Sequence, residues 1–211
     1  MSANRNIYIV GLTGGIASGK SQAAEFLESL GAHCVDADAI SHALTAPGGR
    51  ALPDLRLEFG DGIFEPDGTL DRKALADIVF TDENARKKLD ALIHPSVQKE
   101  MLDEVDIAAQ NGEKLIFLNV PLLFETGMDA LCDETWLIST DPEVQLKRLM
   151  ARDDMDEERA LSRIDSQMPL EEKQRRATVI IDNSKSMDKM FGELQSQYNS
   201  LLKRVSRLEN E

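Results

Sequence analysis

The sequence is poor in cysteine and aromatic residues and contains no long apolar run. Its 211 residues include 2 cysteines, Cys34 and Cys132, and 5% aromatic residues. Two distant cysteines outside any metal-binding spacing argue against a disulfide-stapled fold and predict a reducing, cytoplasmic location. The N-terminal residues lack a signal-peptide pattern, and no stretch approaches the ~20 apolar residues of a membrane span. We therefore expect no membrane partner.

Basic residues are also scarce, with 24 Lys and Arg against 38 Asp and Glu and a net charge of −14. Non-specific nucleic-acid binding depends on attraction to phosphates, so nucleic acid is not an expected partner. A site for an anionic ligand must then be a local basic pocket in an acidic shell. We expect the arginines of such a pocket to cluster in the sequence.

Residues 14–21 read Gly-Gly-Ile-Ala-Ser-Gly-Lys-Ser and fit the pattern G-x-x-x-x-G-K-[ST]. A strand-length apolar run, Ile7–Leu12, precedes this motif, and helical spacing follows it over residues 21–30. Glycines and a helix N-terminus let backbone N–H groups approach a polyphosphate. Lys20 would reach the β- and γ-phosphates, and the Ser21 hydroxyl would hold Mg²⁺. The alternative is a glycine-rich turn that binds nothing, and the complete strand–turn–helix context argues against it.

Alternating strand and helix patterns predict an α/β fold, a parallel sheet covered by helices on both faces. Residues 46–70 contain 5 of the 13 Gly and 3 of the 7 Pro, and Pro47-Gly48-Gly49, Gly60-Asp61-Gly62 and Pro66-Asp67-Gly68 predict turns and an excursion away from the sheet. Helices are expected over 72–80 and 83–92, and Pro95 is expected to interrupt them before a further helix over 96–110. The five predicted strands are 7–12, 33–36, 115–120, 135–139 and 178–181.

The C-terminal segment places apolar residues at spacings of three and four from Met187 to Leu208, which predicts one amphipathic helix. Packing on the sheet is favoured over coiled-coil pairing because the pattern spans barely three heptads. The oligomeric state is left open between a monomer and a small homo-oligomer.

Other motifs choose among the classes of nucleotide-binding protein. No glycine has an Asp three residues before it, and neither N-K-x-D nor T-K-x-D occurs, which argues against a GTPase switch. The best candidate strand for a mechanical ATPase ends Leu118-Asn119-Val120-Pro121, without the expected acid. A small-molecule kinase needs a carboxylate for the acceptor hydroxyl and arginines for the migrating phosphoryl group.

Candidates for both requirements are present. Asp36 and Asp38 follow the second predicted strand, on the edge where open α/β sheets bind ligands. If that segment is extended, only one of the two faces the acceptor, and one of them could instead cap the next helix. Arg148 and Arg152 are four residues apart on one helical face and could bind phosphate. Their alternative is a surface of ion pairs with nearby acids.

The ordered set of motifs resembles the dephospho-CoA kinase family over nearly the whole chain. The matching segments are residues 11–21, Val35-Asp36-Ala37-Asp38, Ile93-His94-Pro95, Pro121-Leu122-Leu123-Phe124-Glu125, residues 145–149 and residues 181–184. The resemblance implies ATP-dependent phosphorylation of the 3′-hydroxyl of dephospho-CoA, giving CoA and ADP, with Mg²⁺. It also implies a P-loop kinase core over 1–43 and 111–211, a helical CoA-binding insertion over about 44–110, and a lid over about 148–176.

By motif position, the resemblance assigns roles to individual residues. Asp38 would take the acceptor proton, and Lys20 and Arg148 would be the transition-state cations. The predicted ATP-binding residues are Gly14, Gly15, Ile16, Ala17, Ser18, Gly19, Lys20, Ser21, Gln22, Arg148 and Arg152, with Ser21 as the metal ligand. The predicted acceptor-binding residues are Asp36, Asp38, His94, Leu122, Leu123 and Glu125, where contact and scaffolding are not separated.

The chain departs from the family pattern at two positions. Ala17 stands where the family usually has Gly, and Thr178 where it usually has an acid. We expect a modest effect from Ala17, because Gly14, Gly15 and Gly19 remain. The competing functions are a nucleoside or nucleoside-monophosphate kinase on the same core and a nucleotide-binding regulatory module without an acceptor.

Overall fold

The computed structural model describes residues 7–208, which contain a five-stranded sheet and nine α-helices. The strand order is β2-β3-β1-β4-β5, and β1 pairs in parallel with β3 and β4, while β4 pairs in parallel with β5. The strands are β1 (Tyr8–Gly14), β2 (His33–Asp36), β3 (Leu115–Asn119), β4 (Glu134–Ser139) and β5 (Val179–Asp182). All five predicted strands and the α/β class are confirmed.

The helices are α1 (Lys20–Ser29), α2 (Ala37–Leu44), α3 (Leu52–Phe59), α4 (Arg72–Thr81), α5 (Glu83–Gln110), α6 (Pro142–Asp153), α7 (Glu157–Asp165), α8 (Leu170–Arg176) and α9 (Met187–Leu208). Within residues 7–208, no helix is long and apolar enough to cross a membrane. The chain divides into two compact units, one of residues up to Val35 and from Val105 onward, the other of Asp36–Glu104.

The core of the first unit explains why the central strands read as continuous apolar runs. Every residue of β3 and β4 is buried, as parallel strands covered on both faces require. Phe117 of β3 meets Trp136 of β4 edge to face, with ring centroids 5.3 Å apart. From α9, Tyr198 packs near Phe117, and Phe191 stacks on Phe26 of α1 at 4.4 Å. The predicted C-terminal helix therefore packs within its own unit.

The second unit is held by short helices and by the turns between them. Asp71 caps α4 by accepting hydrogen bonds from the backbone N–H groups of Lys73 and Ala74. Between the turn signals of residues 47–49 and 60–62 lies α3, whose second residue is Pro53. Proline is tolerated in a first helical turn because its missing N–H has no intrahelical partner there. The sequence predicts no helix over residues 52–59, and the turn signals fall on either side of it.

The predicted break at Pro95 was also wrong, because α5 runs without interruption from Glu83 to Gln110. An interior proline removes one backbone hydrogen bond and clashes with the preceding turn, at a cost of about 3 kcal/mol. Ile93, Val97, Met101 and Val105 are all buried at spacings of four along the same helix. Burial of each such side chain contributes about 1.5–3 kcal/mol, so the apolar stripe outweighs the local cost.

Candidate active site

The phosphate loop, residues 14–21, connects β1 to α1 as the motif requires. Gly19 has φ +93°, a conformation that glycine adopts at little cost, and a Cβ there would lie 2.2 Å from Nδ2 of Asn183. Ala17 has φ +58°, so an alanine occupies the left-handed region at the position where the resemblance expects glycine. Such a conformation costs an L-residue about 1–2 kcal/mol, which the surrounding contacts must offset.

Neutral side chains from distant parts of the chain hold the loop in place. Nε2 of Gln145 donates to the Ile16 carbonyl at 2.8 Å, and Oε1 of Gln167 accepts from the Ile16 N–H at 2.8 Å. The Ser18 carbonyl accepts from Nδ2 of Asn183 at 2.7 Å and from Oγ1 of Thr140 at 3.1 Å. Gln145 and Asn183 lie in segments that match the family, but no role was predicted from the sequence for any of these four residues.

Gly15 is explained by the space around it rather than by its backbone conformation. A Cβ on Gly15 would lie 2.7 Å from Nε2 of Gln145, the atom that bonds Ile16. A larger residue would displace that glutamine. Gly14 is similarly confined, since its Cβ would lie 2.4 Å from Oγ of Ser18.

Lys20 begins α1, and its Nζ donates to Oδ1 of Asn119 at 2.6 Å. Asn119 is the last residue of β3 and is 3% exposed. It stands at the strand end where a mechanical ATPase would carry an acid. An amide accepts a hydrogen bond from the ammonium group without adding the negative charge that a carboxylate would bring.

Ser21 and Gln22 lie exposed in the first turn of α1. Mg²⁺ usually keeps several waters and takes few protein ligands beside substrate phosphates. An exposed hydroxyl at the end of the phosphate loop fits that requirement. Within residues 7–208, no group of three or more acidic, His or Cys side chains is arranged to hold a metal.

The two arginines of α6 differ in their surroundings. Arg148 is half-buried and, in the part of the chain that the structure describes, its side chain makes no ion pair. Arg152 is exposed and binds Asp153 through both Nε, at 2.8 Å, and Nη2, at 3.1 Å. Arg163 of α7 reaches the same carboxylate at 2.7 Å. Arg152 thus makes an ion pair of the kind that the alternative describes, and phosphate binding by Arg152 stays a prediction.

These contacts also act on the ionisation of the pair. Hydrogen bonding from Arg152, together with the charges of Arg152 and Arg163, holds the pKa of Asp153 below its usual range. The Asp153 carboxylate in turn raises the pKa of Arg152. A phosphate group must therefore compete with a carboxylate for the Arg152 guanidinium.

The motif that follows β3 is divided between the core and the surface. Leu123 is fully buried beside Gly11, which favours a scaffolding role, while Leu122 is half-buried. Glu125 contacts the segment after α7: its Oε1 accepts from the Met168 N–H at 3.0 Å and lies 2.8 Å from Nζ of Lys173. Lys173 is 1% exposed, so this ion pair is shielded from water on the lysine side.

In the second unit, the premise that Asp36-Ala37-Asp38 is extended was wrong. Asp36 ends β2 and its side chain accepts from the Ala39 N–H at 2.8 Å, which starts α2 at Ala37. Asp36 is therefore the helix cap that the sequence left as an alternative. Asp38 lies exposed in the first turn of α2.

His94 lies inside α5 rather than at a helix junction. Its Nε2 is 3.7 Å from Oδ1 of Asp90, one turn earlier, and its side chain is 44% exposed. Acceptor binding by His94 stays a prediction.

Comparison with known proteins agrees with this arrangement. A family model described as dephospho-CoA kinase matches residues 8–189. Dephospho-CoA kinase of Symbiobacterium thermophilum is 44% identical over 192 residues, which cover 91% of this chain and 80% of that protein. The Geobacillus kaustophilus protein of the same name is 40% identical over 200 residues, covering 95% of this chain and 98% of its own.

Solved structures give the same answer. Dephospho-CoA kinase from Campylobacter jejuni superposes with a TM-score of 0.70 at 31% identity, covering 93% of this chain and 96% of that one. This chain belongs to the dephospho-CoA kinase family.

Proposed function

We propose that this chain transfers the γ-phosphoryl group of MgATP to the 3′-hydroxyl of dephospho-CoA, giving CoA and ADP in the last step of coenzyme A synthesis. The observation that carries the proposal is the family match over residues 8–189 on a chain whose phosphate loop is held by four side chains. The cytoplasmic location remains a prediction from the cysteine content.

Positioning and charge would supply most of the catalysis, as phosphoryl transfer requires. The loop amides and Lys20 would bind the β- and γ-phosphates, and Arg148 would meet the charge that develops on the migrating group. Ser21 would hold Mg²⁺, which when bound neutralises phosphate charge and orients the γ-phosphoryl group. Gln22 would extend the first turn of α1 that faces the nucleotide.

Asp38 is proposed as the group that accepts the proton of the acceptor hydroxyl. Its support is its place in the matching motif and its exposure in the first turn of α2. Asp36, by contrast, holds the N-terminus of that helix. We propose the segment of about 44–110 as the acceptor-binding insertion and that of about 148–176 as the lid. His94, Leu122 and Glu125 would then contribute to acceptor binding.

The deciding experiment measures ADP release with MgATP and dephospho-CoA, beside AMP, adenosine and no acceptor. Turnover with dephospho-CoA alone, and a product heavier by one phosphate, is expected. Turnover with AMP or adenosine instead would keep the kinase core and change the acceptor. ATP binding without acceptor-dependent turnover would favour a regulatory module.

Replacing Asp38 by Asn tests the proposed base. We expect kcat to fall by about 10²–10⁴-fold, the usual contribution of a general base, with MgATP affinity nearly unchanged. Asp188→Asn is the matched control, because Asp188 is also an exposed acid in a first helical turn and lies outside the proposed acceptor-binding and lid segments. Full activity of Asp38→Asn would remove Asp38 from the mechanism.

A further inference from the structure

Two glutamine side chains hydrogen-bond the backbone of Ile16, one at its N–H group and one at its carbonyl group. Gln145 of α6 donates to the Ile16 carbonyl, and Gln167, between α7 and α8, accepts from the Ile16 N–H, each at 2.8 Å. One bond is made to the backbone carbonyl of Ile16 and the other to its backbone N–H. Ile16 therefore cannot rotate about its backbone without breaking at least one of them.

These two hydrogen bonds lie next to Ala17, the non-glycine residue of the loop that has a positive φ. Ala17 follows Ile16 directly and holds φ +58° without the freedom of glycine. A strained backbone conformation persists only where its neighbours determine it. The orientation of Ile16 fixes where the chain enters Ala17, and thereby where the following amides point.

The same short segment that provides Gln167 also contacts the motif after β3. The next residue, Met168, donates its N–H to Glu125, and Lys173 of α8 pairs with the same carboxylate oxygen. Two consecutive residues thus bind the phosphate loop and Glu125. Glu125 belongs to the motif to which we assign acceptor contacts.

We infer that Gln167 is a positioning residue that fixes the phosphate loop relative to the Glu125 motif, a role that rests on the proposed kinase function. It touches no reacting atom. Its side-chain oxygen accepts a hydrogen bond from the Ile16 N–H, while the N–H of the next residue, Met168, bonds Glu125. Loss of that oxygen leaves both motifs present but lets the loop amides move away from the productive geometry.

Gln167→Met tests this inference, because methionine has a similar length and lacks the strong acceptor oxygen. We expect kcat to fall by about 10- to 100-fold, the scale of a small misplacement, while the melting temperature changes little. The Ile16 amide should exchange its hydrogen faster in the variant, which amide exchange measured by NMR reports without any assay of activity.

Gln167→Glu keeps an acceptor oxygen at the same reach and serves as the rescue variant. We expect it to restore protection of the Ile16 amide and most of kcat. Its negative charge near the loop should raise KM for ATP, which separates positioning from charge. Gln174→Met is the matched control, since Gln174 of α8 bonds Oγ of Ser139 at 3.1 Å rather than the loop.

Wild-type kcat in Gln167→Met would overturn the inference. So would an equal loss in Gln174→Met, which would indicate general loosening of the segment, or a Gln167→Glu variant that protects Ile16 yet stays as slow as Gln167→Met. A wild-type chain that does not phosphorylate dephospho-CoA would refute the proposed function instead. In that case Ile16 exchange and MgATP affinity still decide the role of Gln167, because neither requires the acceptor.

Discussion

The phosphate loop and the arginine end of α6 belong to the same unit, yet they are held in opposite ways. Uncharged, mostly buried side chains hold the loop: Gln145 is 7% exposed and Asn183 2%. Arg152 is held at the surface by Asp153, an anion. Neutral groups position the loop without weakening its attraction for phosphate, whereas a phosphate that reaches Arg152 must displace a carboxylate. The groups that fix the shape of the loop are therefore neutral, whereas the charged group of Arg152 has an anionic partner that a phosphate must replace.

Among changes in these two regions, the largest effect should come from removing the charge that the loop positions. Lys20→Met is expected to lower kcat by about 10²–10³-fold, since Lys20 would stabilise charge on the transferred phosphoryl group. Steady-state kinetics with MgATP and dephospho-CoA measure this loss. Lys147→Met, which removes an exposed lysine of α6, is the control and should keep wild-type kcat.

The two arginines should separate next. Arg148→Ala is expected to lower kcat by about 10- to 100-fold, and Arg152→Ala by several-fold at most, because only Arg152 already has an anionic partner. Arg148→Lys should not restore the rate, because lysine lacks the planar fork that binds phosphate. Equal losses in both alanine variants would contradict the distinction between a positioned and a paired arginine.

Introducing an anion among the neutral groups around the loop should weaken the binding of ATP. Asn119→Asp places a carboxylate against Nζ of Lys20, so the ammonium group gains a permanent partner. We expect KM for ATP to rise by about tenfold, a change of roughly 1.4 kcal/mol in binding. Asn111→Asp adds the same charge at an exposed position and should leave KM unchanged.

The smallest effect concerns the loop backbone. Ala17→Gly is expected to raise the free energy of unfolding by at most about 1 kcal/mol, because relief at φ +58° is partly offset by the greater freedom of glycine in the unfolded chain. Urea unfolding measures the change. Ala91→Gly, at an exposed position within α5, should have the opposite sign, and a loss of stability in both variants would refute strain at Ala17.

The strands could be predicted from the sequence because a strand buried on both faces requires a continuous apolar run, such as residues 115–119. The sequence predicted the loop because lysine, serine and glycine must fall at fixed spacings there. It assigned no role to Gln145, Gln167 or Asn183, whose neutral side chains carry neither periodicity nor charge, although the first and third fall in segments that match the family. Their loop partners lie 129, 151 and 165 residues away along the chain.

The same reasoning explains the two errors around helices. Pro95 is a strong local signal, yet a stripe of buried residues on α5 outweighs it, and local propensity contains no measure of that burial. The interpretation of Asp36-Ala37-Asp38 as extended failed because the Asp36 side chain caps α2, which begins at Ala37, two residues earlier than a segment extended through Asp38 would allow. Caps of this kind are visible in sequence only as alternatives.

Because the loop and its partners are far apart along the chain, they are synthesised at different times. The loop motif and β1 are synthesised before β3 and β4, the strands that flank β1 in the sheet. Asn183, which bonds the Ser18 carbonyl, is synthesised later still. A chain cut short before residue 183 therefore carries the motif without all of the side chains that hold the loop.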